Sequence, residues 1–291
     1  MLTAFFAAIS LLYATVGQAG GTAFLALMAF ASFPPNEMRP TALLLNIVAA
    51  TYSTWLFNRG SHIDWAKLKP LLIASLPTTL AGASIVLADD IYHTITGIVL
   101  LLAAIVLVIG RRNEDLPDRA TPLGAAILTG AGVGFISGLT GVGGGVFLAP
   151  ILVGMRWASP KQTAALSAPF ILGNSAIGLV GALHVGQVPS SQTWLYALGA
   201  LAGAIAGTTI GLRWLSQTAT RYVLATVLGS AGAQLVAFAA RWVRRMVGRL
   251  RFRLRSSSYG AQVANPRYLH HFNAENMMRP RISAVSEYFS V

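Results

Sequence analysis

Cysteine is absent from all 291 residues. Disulfide frameworks, thiolate nucleophiles and thiolate-held zinc are therefore excluded, and cysteine usage says nothing about the redox compartment. Charge is the second scarcity. Only 10% of residues are Asp, Glu, Lys or Arg, against about 25% in ordinary soluble proteins, while 55% are apolar. With a mean hydropathy of +0.63 and uncharged runs as long as Ile91 to Gly110, the solvent for most of this chain is lipid. The opening MLTAFFAAISLLY has no basic segment before its apolar run and no small-residue cleavage site, so it reads as a membrane segment rather than a signal peptide.

What charge there is lies mostly at one end. From Arg241 onward there are ten Arg and two Glu, a net of +8, leaving +4 of the total +12 for residues 1–240. A basic protein of evenly spread charge would suggest nucleic acid; this distribution does not, and no nucleic-acid partner is expected. Arg241 to Arg255 places Val243, Met246, Val247, Leu250 and Leu254 on one helical stripe with arginines mostly elsewhere. Such a basic amphipathic helix is expected to lie against anionic lipid head groups on the cytoplasmic side. Residues 256–291 are polar and without apolar periodicity, the composition of a disordered tail.

Apolar segments run Leu2 to Val16, Gly20 to Phe33, Thr41 to Phe57, Leu68 to Leu87, Ile91 to Gly110, Pro122 to Thr140, Val142 to Val153, Thr163 to Leu183, Thr193 to Leu212 and Arg221 to Ala240. All are expected to be helices, because a chain in lipid has to satisfy its backbone hydrogen bonds internally. The fold class is thus all-α, a polytopic membrane protein of about eight crossings.

The chain also repeats. Gly17, Gly20, Gly21 and Phe24 stand 124 residues before Gly141, Gly144, Gly145 and Leu148, and Leu80 to Ile85 matches Ile205 to Ile210 at 125. This divides it into a first transmembrane repeat (1–110), a charged loop (111–121), a second repeat (122–240), the basic helix (241–255) and the tail (256–291). Repeats with helices interrupted at matching places are the pattern of secondary transporters, whose breaks meet near the midplane.

The breaks are glycine clusters. Each interior glycine costs a helix about 1 kcal/mol against alanine, so Gly138 to Pro150 is not expected to remain an unbroken helix. The half-helix beyond a break starts with unpaired N–H groups and the positive end of a dipole, which suits an anion. Gly141, Gly143, Gly144 and Gly145 are accordingly read as presenting backbone donors to a small anionic substrate. Gly17, Gln18, Gly20 and Gly21 supply the opposing side, with Ala19 standing where the second break has Gly143. Gly82, Gly203 and Gly207 read as packing glycines. No Lys-Ser or Lys-Thr follows the glycines, so no phosphate-binding loop is present, and no cofactor or metal is expected.

Polar residues within apolar spans face a pathway or a neighbouring helix. Asn46, Thr51, Ser53 and Thr54 fall in one span, Ser167, Asn174 and Ser175 in its repeat partner; each taken singly reads as a helix contact, and Asn46 and Asn174 are the two expected at substrate. No charged residue stands in the middle of a span, so no carboxylate relay is visible. Asp89 and Asp90 read as a solvated turn; His93 and His184 read as interfacial, with proton coupling the alternative.

At GVGGGVFLAPIL (141–152), its degenerate earlier copy GQAGGTAFLAL (17–27) and NRGSHIDW (58–65), the chain resembles the sulfite exporter TauE/SafE family of membrane transporters over residues 1–240. The resemblance implies a multi-pass plasma-membrane protein, not an enzyme, that exports small sulfur-containing anions such as sulfite or organosulfonates. Ala19 and the arginine-rich tail depart from that pattern. A passive anion pathway, a non-transporting subunit and a membrane-embedded enzyme are the alternatives, the last opposed by the lack of a mid-span His, an Asp pair or HExxH. Nothing in the sequence specifies an oligomeric state.

Treating each glycine-broken pair as one crossing gives parallel repeats, with thirteen Lys or Arg through Arg255 on one side and five on the other. Re-entrant hairpins give inverted repeats and ten against eight. The positive-inside rule favours the first arrangement; both lead to an expected cytoplasmic C-terminus.

Overall fold

The computed structural model describes residues 1–31, 33–85 and 119–214, together with 222 and 226. The segment Ile91 to Gly110, Asp89, Asp90, His93, most of the charged loop, nearly all of Arg221 to Ala240, the basic helix and the tail lie outside the described residues.

Eight helices make up the described chain: α1 Leu2–Ala14, α2 Gly21–Phe30, α3 Pro35–Arg59, α4 Trp65–Ala83, α5 Leu123–Thr140, α6 Gly145–Gly154, α7 Pro160–His184 and α8 Thr193–Trp214. Four of them are long and apolar enough to cross a membrane, over Asn36–Arg59, Leu123–Thr140, Pro160–His184 and Thr193–Arg213. The protein is a polytopic helical membrane protein. Ring and aliphatic side chains including Phe6, Phe24, Met28, Leu45, Leu148 and Phe170 fill its buried core.

Helix starts follow local chemistry. Proline at the first position of α3 presets φ, and that helix begins six residues before the apolar run at Thr41. In α7, Ser159 and Gln162 form a reciprocal capping box. The NRGSHIDW stretch is a turn and a cap: Asp64 accepts from the N–H groups of Ala66 and Lys67, and Trp65 Nε1 donates to Asn58 Oδ1 at 3.0 Å.

Two glycine-lined contacts hold the bundle together. A Cβ built on Gly199, Gly203, Gly207 or Gly211 of α8 would lie 2.1–2.6 Å from the carbonyl oxygen of Thr3, Ala7, Leu11 or Thr15 of α1. On α5, a Cβ at Gly130, Gly134 or Gly138 would lie 2.2–2.4 Å from the carbonyls of Leu71, Ser75 or Thr79 of α4. Only missing side chains permit such backbone approach. Gly82 belongs to the second contact, facing Phe135, as Gly203 and Gly207 belong to the first.

These contacts also fix direction. Partner residues rise together in both pairs, so α1 runs with α8 and α4 with α5. Thr41 meets Thr193 and Ser53 meets Thr208, so α3 runs with α8. Gly173 meets Leu72, and Gly181 meets Ala83, so α7 runs with α4. The short turn after α3 brings its end to the start of α4 and hence of α7, making α3 and α7 antiparallel; Leu43 against Gly178 agrees. The helices α1, α3 and α8 therefore point one way and α4, α5 and α7 the other.

Each glycine-broken pair is a hairpin. In a continuous helix Phe6 and Phe24 would be about 27 Å apart at 1.5 Å per residue. Their rings instead lie 5.6 Å apart, and Tyr13 OH is 3.2 Å from Thr22 Oγ1. In the second half the Arg119 N–H donates to the Arg156 carbonyl at 2.8 Å, so α6 returns to the face from which α5 set out. This corrects the parallel-repeat, single-crossing expectation: α1 and α5 hold matching sequence positions and run in opposite directions. The charge count pointed the wrong way because seven tail arginines dominated it.

Candidate functional site

The two breaks share a backbone solution. Gly17 and Gly141 have φ of 71° and 73°, Gly20 and Gly144 of 105° and 81°, all in the left-handed region that favours glycine. Gly141 closes α5, donating its N–H to the Ser137 carbonyl at 2.8 Å, and Gly144 is the N-cap of α6 with no side-chain cap. The first N–H groups of α6 therefore have no partner within their own helix. The breaks differ at one position. Gly143 is left-handed at φ 89°, whereas Ala19, its counterpart, is not.

The breaks face each other. Gln18 Nε2 donates to the Gly145 carbonyl at 3.3 Å, and Asn46 Nδ2, from the middle of α3, donates to the Val142 carbonyl at 3.1 Å. A Cβ on Gly21 would lie 2.5 Å from Asn46 Nδ2 and 2.6 Å from that same Val142 oxygen. A Cβ on Gly143 would lie 2.7 Å from Ser175 Oγ and 3.1 Å from Asn46 Nδ2; one on Gly144 would lie 3.2 Å from Ser137 Oγ. The starts of α2 and α6 thus converge on one polar patch inside the bundle. Two positive dipole ends brought together repel unless negative charge or lone pairs lie between them.

Every side chain in this patch is buried, with Gln18 and Ser137 at 1% exposure and Asn46 and Ser175 at 0%. Four of their atoms, Gln18 Oε1, Asn46 Oδ1, Ser137 Oγ and Ser175 Oγ, have no hydrogen-bond partner. An unpaired buried polar atom costs about 1–3 kcal/mol, so these four leave the patch with hydrogen-bonding capacity unused inside the protein.

Gly17, Gln18, Gly20, Gly21, Asn46, Gly141, Gly143, Gly144 and Gly145 all lie at the two breaks or against them. Asn174 has a different setting. Its Nδ2 donates to the Phe170 carbonyl at 2.8 Å and its Oδ1 accepts from Thr79 Oγ1, which also bonds the Gly134 carbonyl at 2.9 Å. It serves a bridge among α4, α5 and α7, while its neighbour Ser175 reaches the glycines. Thr51 bonds back to the Ile47 carbonyl at 2.6 Å, and Ser53 Oγ pairs with Thr208 Oγ1 at 2.8 Å. Ser53 thus makes a contact between helices, whereas Thr51 is exposed and bonds back within α3; His184 ends α7.

One residue beside the site was not anticipated. Arg39 is buried within the first turns of α3 and donates to the carbonyls of Ala83, at 3.0 Å, and Gly138. Those oxygens belong to the C-terminal ends of α4 and α5, where a cation is favoured. Its stem lies under Gly141, a Cβ there falling 2.6 Å from Arg39 Cγ. The pseudo-equivalent contact sets Ala164 against Gly17. In the sequence, Arg39 stands just before an apolar run and reads as a flanking charge; only the upstream prolines hinted that the helix begins earlier.

The model of the family described as sulfite exporter TauE/SafE matches residues 1–235. The chain belongs to the sulfite exporter TauE/SafE family. It is 36% identical over 237 residues, 79% of this chain and 95% of the relative, to a probable membrane transporter protein of Sinorhizobium fredii. It is also 24% identical over 230 residues, 71% of this chain and 83% of the relative, to the probable membrane transporter protein YunE of Bacillus subtilis. A probable membrane transporter protein of Methanocaldococcus jannaschii is 26% identical over 162 residues, 55% of this chain and 59% of that protein. No solved structure matches the chain. Membership in this family places the protein among membrane transporters.

Proposed function

We propose that the protein moves small, sulfur-containing anions such as sulfite or organosulfonates across the membrane, at a site between the two glycine breaks. The observation that carries this reading is the convergence of the α2 and α6 starts, joined by Gln18 to Gly145 and Asn46 to Val142, on buried polar atoms without partners. Helix N–H groups and neutral hydroxyls stabilise an anion without a fixed countercharge, which keeps binding weak enough for release. Gly17, Gly20, Gly21, Gly141, Gly143, Gly144 and Gly145 supply close backbone approach; Gln18, Asn46 and Ser175 line the patch. Two halves running in opposite directions suit alternating access, in which the hairpins exchange roles at the two faces.

The orientation follows from the basic residues. The face where α3 and α8 end and α4, α5 and α7 begin carries Arg59, Lys67, Lys69, Arg119, Arg156, Lys161 and Arg213. On the opposite face Arg39 is turned into the protein. By the positive-inside rule we assign the first face to the cytoplasm of a cell whose plasma membrane holds the protein. A cytoplasmic C-terminus, which the arginines of 241–255 favour, requires that Arg221 to Ala240 not cross the membrane as a single span. In that position the basic segment lies against anionic lipid head groups.

The experiment is uptake of radiolabelled sulfite, sulfate, sulfoacetate and taurine into proteoliposomes of the purified protein, with and without an imposed pH gradient. Saturable uptake of at least one anion is expected. No uptake of any of them under either condition would overturn the substrate class.

A further inference from the structure

The two amides at the glycine breaks are oriented by what they donate to. Asn46 Nδ2 must face the Val142 carbonyl and Gln18 Nε2 the Gly145 carbonyl, since the flipped amides would set oxygen against oxygen. That leaves Asn46 Oδ1 and Gln18 Oε1 as acceptors. Both are buried and without a partner, close to where a Cβ would stand on Gly21 and on Gly145, at 3.1 Å and 2.9 Å. The same patch holds unpartnered donors in the hydroxyls of Ser137 and Ser175 and in the opening N–H groups of α6.

A bare anion offers acceptors only. It would satisfy the hydroxyls and the helix N–H groups while leaving the two amide oxygens unpaired and set against its own negative charge. A ligand bearing a donor as well would match both sets. Sites holding a buried acceptor for a substrate hydroxyl discriminate strongly against analogues lacking it, because the analogue strands the acceptor.

Resting on the transport reading above, we propose that the site between the glycine breaks selects small oxyanions that carry their own hydrogen-bond donor, a hydroxyl, an amino group or an acidic O–H. The partners of that donor are Gln18 Oε1 and Asn46 Oδ1. The anionic end is held by Ser137, Ser175 and the starts of α2 and α6. Discrimination then lies in neutral hydrogen bonding rather than in charge or size.

The test compares 2-hydroxyethanesulfonate with ethanesulfonate, two monoanions of equal chain length that differ by one hydroxyl. Initial uptake rates of each are measured against concentration in proteoliposomes of the full chain. We expect the hydroxylated anion to be taken up with at least tenfold higher efficiency, and Gln18→Met to bring that ratio toward one. The wild-type ratio needs no variant, so it stands even where Gln18→Met misfolds. Equal efficiencies would overturn the donor requirement while leaving anion transport intact, the result expected if water serves both amide oxygens. Uptake of sulfoacetate, which carries no donor when ionised, without uptake of 2-hydroxyethanesulfonate would overturn it too. No uptake of any anion would bring down the transport reading itself.

Discussion

Asn46 Nδ2 donates to the carbonyl of Val142 at 3.1 Å, tying the middle of a full-length helix in one half to the glycine break of the other. The bond spans 96 residues of chain and is wholly buried. Asn46→Leu keeps the volume and removes the donor, leaving a buried carbonyl unpaired at a cost of about 1–3 kcal/mol. Uptake should fall tenfold or more, and the melting temperature in detergent should fall by several degrees. Asn46→Gln, which keeps an amide, should restore part of the stability but less of the uptake.

Ser175 and Ser53 separate the site from the packing around it. Ser175 Oγ has no partner and stands beside Gly143, so Ser175→Ala removes no existing bond and should lower uptake several-fold with an unchanged melting temperature. Ser53 pairs with Thr208 between α3 and α8. Ser53→Ala should cost about 1 kcal/mol of stability and leave uptake as it was. Thermal unfolding and uptake measured side by side on the two variants check the division.

Much of the helical layout is legible in the apolar runs. The observed ends of α1, α4 and α8 fall within a few residues of the expected ones, because lipid solvation leaves an apolar segment little alternative to helix. Helix α3 is the exception: Glu37 and Arg39 hide its first turns from a search for apolar residues, while the proline start and the carbonyls held by Arg39 make those turns helical. Hairpins and continuous crossings look alike in the sequence, since both are two short apolar runs about a glycine cluster. What separates them is tertiary, such as Phe6 against Phe24. The two breaks are legible in the paired glycines, and Asn46 in being a polar residue within an apolar run; that they bind substrate is the proposal above. Asn174 was not distinguishable from Asn46, because only the structure shows that Thr79 already occupies its amide oxygen.

Outside the breaks, some glycines meet backbone and others meet nothing. Gly203→Ala would place a Cβ 2.1 Å from the Ala7 carbonyl and must push α1 away from α8. A marked loss of folded, monodisperse protein is expected on size-exclusion chromatography. Gly132 has nothing within 4 Å of its Cβ position. Gly132→Ala should be neutral or stabilising by up to about 1 kcal/mol, with uptake unchanged.

Because the chain has no cysteine, introduced cysteines report topology without background. Ser61→Cys, in the turn between α3 and α4, should react with an impermeant maleimide only after the membrane is opened; Ser191→Cys, ahead of α8, should react in intact cells. The reverse pattern would invert the proposed orientation, and labelling of both from outside would contradict the hairpin topology. Ser257→Cys in the tail decides the side of the C-terminus: reaction from outside would show that Arg221 to Ala240 crosses once.

If the two glycine breaks form the anion site, Gly144→Leu should abolish transport. Gly144 is left-handed at φ 81°, caps α6 and has Phe170 and Ser137 against its Cβ position, so a leucine there displaces the start of α6 from Gln18 and Asn46. The measurement is initial uptake of whichever labelled anion the wild-type protein carries, in proteoliposomes matched for the amount of correctly inserted protein. Uptake is expected to fall to the level of empty liposomes while the variant still inserts and elutes as a folded species. Wild-type uptake by inserted Gly144→Leu protein would contradict it.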